Sequence, residues 1–421
     1  MKVYQTKEVF GISRNVPLNY VERDDVDGRL RDSLDRKKHI TIFGSSKQGK
    51  TCLRKHCIPE SDIILIQCNN RWSLAELNSN ILKRAGFEIA QSTKVSSTGK
   101  NKIIASIKAK LFGTLETSLN GESEYSDGIE ETYSALELDI EDANDVVSAL
   151  NSISFDKYIV LEDFHYLKPE TQRDFSIELK AFHENSDLSF IIVGVWIDEN
   201  RLIIYNGDLT GRLISINADL WLDSELRKVI ERGEKLLNIR FTDTFKENLI
   251  SDCYESVYLV QEACYKVCEK NGIYETQEEC IEIGSDVDTK EIVSEIVKIQ
   301  SGRYNSFLNL YSEGFQETLL QMHKWILYPI ISFPIEKLKK GIGYREIRES
   351  IQLKHEKGSG LNPGNLTQAL KSVSSLQIKK SIMPIIIDYD ESNLKLHIVD
   401  KGFLIWLEYQ DKDALLSMAG F

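Results

Sequence analysis

The stretch Gly44-Ser45-Ser46-Lys47-Gln48-Gly49-Lys50-Thr51 constrains this chain more than any other. It is a complete G-x-x-x-x-G-K-[ST] phosphate loop. His39-Ile40-Thr41-Ile42-Phe43 before it reads as a buried strand, and Thr51 to His56 after it reads as the first turns of a helix. Backbone N–H groups of such a loop converge on the positive end of the helix dipole and cradle a polyphosphate. The spacing therefore makes Gly44 through Thr51 candidate nucleotide-binding residues. Lys50 is expected to reach the β- and γ-phosphates, and the Thr51 hydroxyl to bind Mg²⁺.

Further along, Tyr158-Ile159-Val160-Leu161 is a continuous apolar run ending in Glu162-Asp163. A phosphate loop needs a carboxylate at the end of a neighbouring strand to hold Mg²⁺ and position water. The order here is unusual, since an Asp normally comes first. Successive strand residues point to opposite sides, so the two carboxylates take different work. Glu162 is expected to face Mg²⁺, by a water-mediated contact, and Asp163 to orient the attacking water. His165, three residues past Glu162, either approaches the γ-phosphate or packs below the strand end. No N-K-x-D guanine-reading motif follows, which favours ATP over GTP.

Continuous apolar strands also appear at Ser189 to Val195 and Leu213 to Ile216, with Ile63 to Gln67 earlier. Helical patterns alternate with them, as at Trp72 to Ala85, Asp142 to Ile153 and Thr171 to Asn185. Alternation of this kind predicts an α/β fold, a doubly wound parallel-sheet P-loop NTPase domain. A polar stretch, 91–133, reads as a mobile insertion within that core of residues 1–222. Residues 223–329 read as a helical lid with linker helices. In 330–421, helices at Tyr344 to Ile351 and Asn365 to Leu376 precede strands at Ile385 to Asp388 and Leu394 to Val399, the order of a winged helix-turn-helix.

The combination resembles the STAND and AAA+ branch of P-loop ATPases, close in layout to origin-recognition and transposition-regulator ATPases. That resemblance covers about residues 15–272 and the C-terminal winged helix. It implies that Tyr20 and Arg23, in Tyr20-Val21-Glu22-Arg23, lie beside adenine. It also implies that Arg212, in Gly207-Asp208-Leu209-Thr210-Gly211-Arg212, is an arginine finger for a neighbouring subunit's γ-phosphate, with a helix-end or intrasubunit ion pair as the alternative. Two family features are missing. The fourth strand, Ile191-Ile192-Val193-Gly194-Val195-Trp196, ends without a polar sensor, Asn200 coming four residues late. The lid segment Ser256-Val257-Tyr258-Leu259-Val260 lacks the family's second-sensor Arg, for which Arg303 is a late substitute. Sensor-poor sites suit a slow ATPase switch.

Charge and cysteine content narrow the partners. The chain carries 52 Lys+Arg against 65 Asp+Glu, a net charge of −13, so it has no overall nucleic-acid footprint. From Ser332 onward the balance is 13 basic to 11 acidic, and the Asn365–Leu376 helix holds only Lys371, with Lys379 and Lys380 just beyond. That is thin for phosphate neutralisation. Docking or autoinhibition is the leading role for this module and DNA binding the other. Seven cysteines without a Cys-x-x-Cys pair read as reduced thiols. No apolar run is long enough to span a membrane, and Met1 to Lys7 lacks a signal-peptide core, so the expected location is cytoplasmic. The reading that follows is an ATP- and Mg²⁺-dependent switch. The resemblance further implies that it homo-oligomerises with ATP bound and acts on a separate effector, as in bacterial antiphage systems. The alternatives are a DNA-associated loader or transposition regulator, and a scaffold that holds ATP without hydrolysing it.

Overall fold

A computed structural model describes residues 2–12, 15–95, 101–107, 135–314 and 320–421. Its centre is a five-stranded sheet. The strands are β1 (His39–Phe43), β2 (Ile63–Gln67), β6 (Tyr158–Glu162), β7 (Phe190–Val193) and β8 (Leu213–Asn217). All pairings are parallel, in the order β2-β6-β7-β1-β8. Parallel neighbours need long crossovers, and these are the helices Leu74–Ala85, Ala143–Ser152 and Pro169–Asn185 on one face and Lys50–Cys57 on the other. The central strands β6 and β7 are apolar along almost their whole length because both of their faces are covered. Ile159, Leu161, Phe190 and Ile192 enter one core, while Val160, Ile191 and Val193 enter the second with Ile40, Ile42 and Leu53.

The order corrects one sequence expectation. β7 lies between the phosphate-loop strand β1 and the carboxylate strand β6, so Glu162-Asp163 ends the strand next but one. A second difference concerns the stretch expected to be a mobile insertion. β3 (Phe87–Val95), β4 (Asn101–Ile107) and β5 (Ala135–Asp139) form a three-stranded antiparallel sheet, while 96–100 and 108–134 lie outside the described residues. Ile103, Ala105 and Leu138 reach the main core from it. Period-two alternation with Lys and Ser hides such strands in a polar background.

In the stretch expected to form a lid lie helices Asp223–Leu237, Asp243–Asp252 and Val257–Lys270, with the short parallel pair β9 (Ile239–Phe241) and β10 (Ile281–Ile283). Phe10, from the N-terminal segment, packs so closely on Gly233 that a β-carbon there would lie 2.1 Å from its ring. The C-terminal elements are β11 (Ile342–Gly343), helices Tyr344–Gln352, Pro363–Lys371 and Val373–Lys379, β12 (Ile387–Asp390), β13 (Lys395–Ile398) and helix Lys401–Glu408. The three strands are antiparallel in the order β11-β13-β12. The helix expected over 365–376 is two helices meeting at Ser372. One core joins these elements to helices Ser301–Ser312 and Met322–Ser332. Phe403 and Trp406 sit in it with Leu396, Ile398 and Tyr304.

Candidate functional site

The phosphate loop keeps its shape through two glycines and one carboxylate. Gly49 has φ +84° and Gly44 φ +141°, conformations that a side chain strains. A β-carbon on Gly44 would also lie 2.9 Å from Asp219 Oδ1. Asp219, just past β8, accepts the Ser45 N–H on both oxygens at 2.8 Å and the Ser45 hydroxyl at 2.6 Å. Lys50 is buried, and its Nζ donates to the carbonyls of Gly44, at 3.0 Å, and Ser45. Burial pulls its pKa down to about 8, opposed by Asp219, Asp163 and Glu162.

A cavity of about 350 Å³ opens beside the loop. Its floor is Ser46 to Cys52, with Asp163 and Val195 at one end. Tyr20, Val229, Val257 and Gln261 wall the other. That apolar end contains a reciprocal amide pair, Asn19 and Gln261, each donating to the other at 2.9 Å. Tyr20 packs on His56 in a tilted contact with ring centres 4.5 Å apart and donates its hydroxyl to Asp27. Arg23 is buried. Its guanidinium lies 4.0 Å over Trp221, and Nη1 donates to the carbonyls of Ala218 (2.9 Å) and Leu220 (3.3 Å). Both residues implied by the resemblance thus line the cavity, Arg23 while fastening the strand end that carries Asp219. The Gln48 side chain is fully buried beneath the loop, and neither of its amide atoms has a partner.

The two carboxylates diverge, as alternation on a strand requires. Asp163 follows β6 with φ +56°, which turns it into the cavity, where Gln67 at the end of β2 donates to its Oδ2. Glu162 points to the phosphate-loop helix, where Oε1 lies 3.4 Å from Arg54 Nε. That is an ion-pair distance without hydrogen-bond geometry, and neither atom has a hydrogen-bond partner. Burial raises the pKa of both carboxyls; Arg54 counters it at Glu162, and Gln67 and Lys50 counter it at Asp163. The cavity therefore meets Asp163, and Glu162, expected at Mg²⁺, is turned toward Arg54.

Arg212 lies elsewhere. Its carbonyl accepts from His39 N at 3.1 Å, which puts it at the edge where β1 begins, one strand length from the phosphate loop. Five residues of strand span about 17 Å, too far to reach its own loop. Its guanidinium pairs with Glu184 at 2.7 Å and with the carbonyl of Asp208. Arg303 pairs with Asp400 and donates to the carbonyl of Pro384 at 3.1 Å.

Several contacts that sequence reasoning did not anticipate join the loop and its surroundings to later parts of the chain. The Ser46 N–H, expected in the phosphate cradle, donates to the carbonyl of Val399 at 2.9 Å. Lys47 Nζ lies 4.0 Å over the Tyr258 ring and 3.4 Å from Gln300 Oε1. Val195 packs with Ile378, Ile385 and Val399. Arg201 donates to both oxygens of Asp388 at 3.1 Å, and Ser374 also donates to that carboxylate. Apart from Ser374 with Asp388, these contacts join residues roughly 180 to 350 apart in the chain and leave no local sequence signal; Asp219 at least sits at a recognisable strand end.

Compared by sequence, the chain matches no protein-family model and no curated protein. Solved structures do match. A Walker-type ATPase of Pyrococcus abyssi is 14% identical, over 95% of this chain and 99% of that one, with a TM-score of 0.50. The ORC2 protein of Aeropyrum pernix is 15% identical, over 99% and 98%, with a TM-score of 0.44. A STAND protein of Pyrococcus horikoshii with a tetratricopeptide repeat sensor is 12% identical, over 97% of this chain and 45% of that one, with a TM-score of 0.39. With the parallel sheet and phosphate loop, the first of these gives the fold: that of the P-loop ATPases. No described helix is long and apolar enough to cross a membrane.

Proposed function

We propose that this chain is an ATP-binding, slowly hydrolysing switch of the STAND and AAA+ kind, in which a C-terminal winged helix docks on the phosphate loop. The carrying observation is that Ser46, inside the loop, gives its N–H to Val399 of the C-terminal unit. The nucleotide site and the docking contact thus share one backbone group. The cavity has the layout of a nucleotide site, with loop amides and Lys50 at one end and an apolar wall with neutral amides at the other. Among the described lining residues the only carboxylate is Asp163, at the phosphate end, so no anionic acceptor faces the N–H groups on guanine's edge, which favours adenine.

The exposed Thr51 hydroxyl and Asp163 would hold Mg²⁺ and water, and Glu162 would act at one remove beside Arg54. When bound, Mg²⁺ neutralises charge on the β- and γ-oxygens. Arg212 would leave Glu184 to serve a neighbour's site in a homo-oligomer of the ATP state, a reading supported by its distance from its own phosphate loop. A separate effector, of the kind used in antiphage defence, completes this reading. DNA binding has less support, because Lys371 pairs with Glu391 and Lys380 with Glu313 instead of lying free for phosphates. The test is titration calorimetry with ADP and a non-hydrolysable ATP analogue, followed by sizing with each and with duplex DNA. Nucleotide binding lost in Lys50→Ala is expected. A folded wild-type protein that binds neither nucleotide would end the proposal.

A further inference from the structure

The cavity's apolar end holds an amide whose orientation the fold dictates. Asn19 is fully buried, and its Nδ2 donates to the carbonyl of Val229 at 3.2 Å. A carbonyl only accepts, so that contact settles which atom of the Asn19 amide is nitrogen. The reciprocal pair at 2.9 Å then settles Gln261, whose Oε1 faces Asn19 Nδ2 and whose Nε2 faces Asn19 Oδ1. Asn19 thereby uses both of its N–H groups, whereas Gln261 uses one of its two. Gln261 is 6% exposed and lines the cavity with Val257, one helical turn before it. Two neighbouring donors are engaged elsewhere. The Tyr20 hydroxyl goes to Asp27, and the Trp221 Nε1–H goes to the carbonyl of Gln48 at 3.4 Å.

A polyphosphate held by the loop puts its base at this end, with the purine edge farthest from the sugar leading. That edge carries N1, which is a bare acceptor in adenine and bears a hydrogen in guanine and hypoxanthine. A donor placed there bonds to adenine N1 and opposes the N1–H of the other two. We propose that Gln261 selects the base, giving its second Nε2–H to adenine N1, and that Asn19, anchored on Val229, is the positioning residue that keeps that N–H toward the ligand. A Gln side chain free to turn over would present oxygen or nitrogen alike and would suit all three bases. The inference rests on the nucleotide-switch reading and adds the residue that makes the site an adenine site.

The test is calorimetry on the full chain with Mg²⁺ and three diphosphates: ADP, 1-deaza-ADP, in which a C–H replaces N1 and the 6-amino group stays, and IDP, in which N1 carries a hydrogen. Wild-type protein is expected to bind 1-deaza-ADP about tenfold more weakly than ADP, and IDP about 10²-fold more weakly, as loss of one hydrogen bond and then opposition of two buried donors require. Equal affinity for ADP and 1-deaza-ADP, or for ADP and IDP, overturns the inference; binding of no nucleotide overturns the switch reading instead. Gln261→Met keeps the length of the side chain without the amide, and is expected to bind ADP and 1-deaza-ADP equally. Asn19→Leu, with Gln261 intact, is expected to narrow the same ratio. A role in packing alone would weaken both ligands by one factor and leave the ratio as it was. A wild-type ratio in folded Gln261→Met protein overturns the assignment of the base to Gln261, and one in folded Asn19→Leu overturns the positioning role. If either variant does not fold, the wild-type affinities for ADP and 1-deaza-ADP decide.

Discussion

Replacing Arg201 with Met should release the C-terminal unit from the ATPase domain. Arg201 and Asp388 are buried at the junction, with side chains 15% and 3% exposed. Their two 3.1 Å contacts join the segment after β7 to β12. Removing one partner of a buried pair costs about 3–5 kcal/mol, chiefly because the other charge stays buried and unpaired. Here Ser374 still donates to Asp388, so the lower end applies. Only the docked form carries that penalty, since undocking returns Asp388 to water. About 3 kcal/mol is about two powers of ten in the docked-to-undocked ratio. The assay is a single-molecule distance between dyes on the two units with ADP bound, together with the release rate of a fluorescent ADP. Both should shift toward opening in Arg201→Met. The double variant Arg201→Met/Asp388→Leu removes both charges and should recover most of the docking. A wild-type distance distribution and ADP release rate in folded Arg201→Met would refute the reasoning. A double variant as open as the single one would mean that lost packing, not an unpaired charge, was responsible.

Lys50→Ala should abolish tight nucleotide binding by calorimetry. Because burial holds Lys50 near pH 8 and a bound polyphosphate would raise it again, wild-type binding at about pH 8.5 should take up a proton. Titrations in buffers of different ionisation enthalpy check this, and pH-independent proton counts would contradict it. Asp163→Asn should retain ATP but slow its turnover, while Glu162→Gln has the milder effect on water activation; a reversed order in single-turnover assays would exchange their roles. Mixing Arg212→Ala with Lys50→Ala protein should restore some ATPase activity through a hybrid interface. No rescue, with a rate per subunit independent of concentration, would leave Arg212 as the partner of Glu184 only.

What the sequence made legible is what short-range chemistry determines. The eight-residue loop, the apolar strands and the Glu162-Asp163 step each rest on neighbours in the chain, and each appears at the expected residues. The strand order does not, because a parallel sheet can insert β7 between β1 and β6 without changing any residue of either. The same holds for the direction of the carboxylates. Alternation requires Glu162 and Asp163 to diverge, but which one meets the cavity depends on Arg54 and on the left-handed turn at Asp163. Residues 87–107 were harder still, since their alternating Ile and Ala positions are diluted by Lys, Ser and Thr.

The Ser46–Val399 contact gives the docked arrangement a direct physical link to ligand chemistry. A loop amide has one proton and makes one strong hydrogen bond, either to the Val399 carbonyl or to a phosphate oxygen. A charged acceptor forms the stronger bond, by roughly a factor of two. A nucleotide that draws on this N–H therefore weakens docking by the same free energy that docking subtracts from its affinity, because linkage is reciprocal. Lys47 adds to the coupling, since its ammonium lies over the Tyr258 ring and against Gln300, so a phosphate that draws on it competes with those contacts. Opening the C-terminal unit should thus raise the affinity of a nucleotide that takes the Ser46 N–H, with association speeded more than release. The contact also fixes where a stabilising ligand must act: one that leaves the Ser46 N–H alone binds without moving the unit, however tightly it is held.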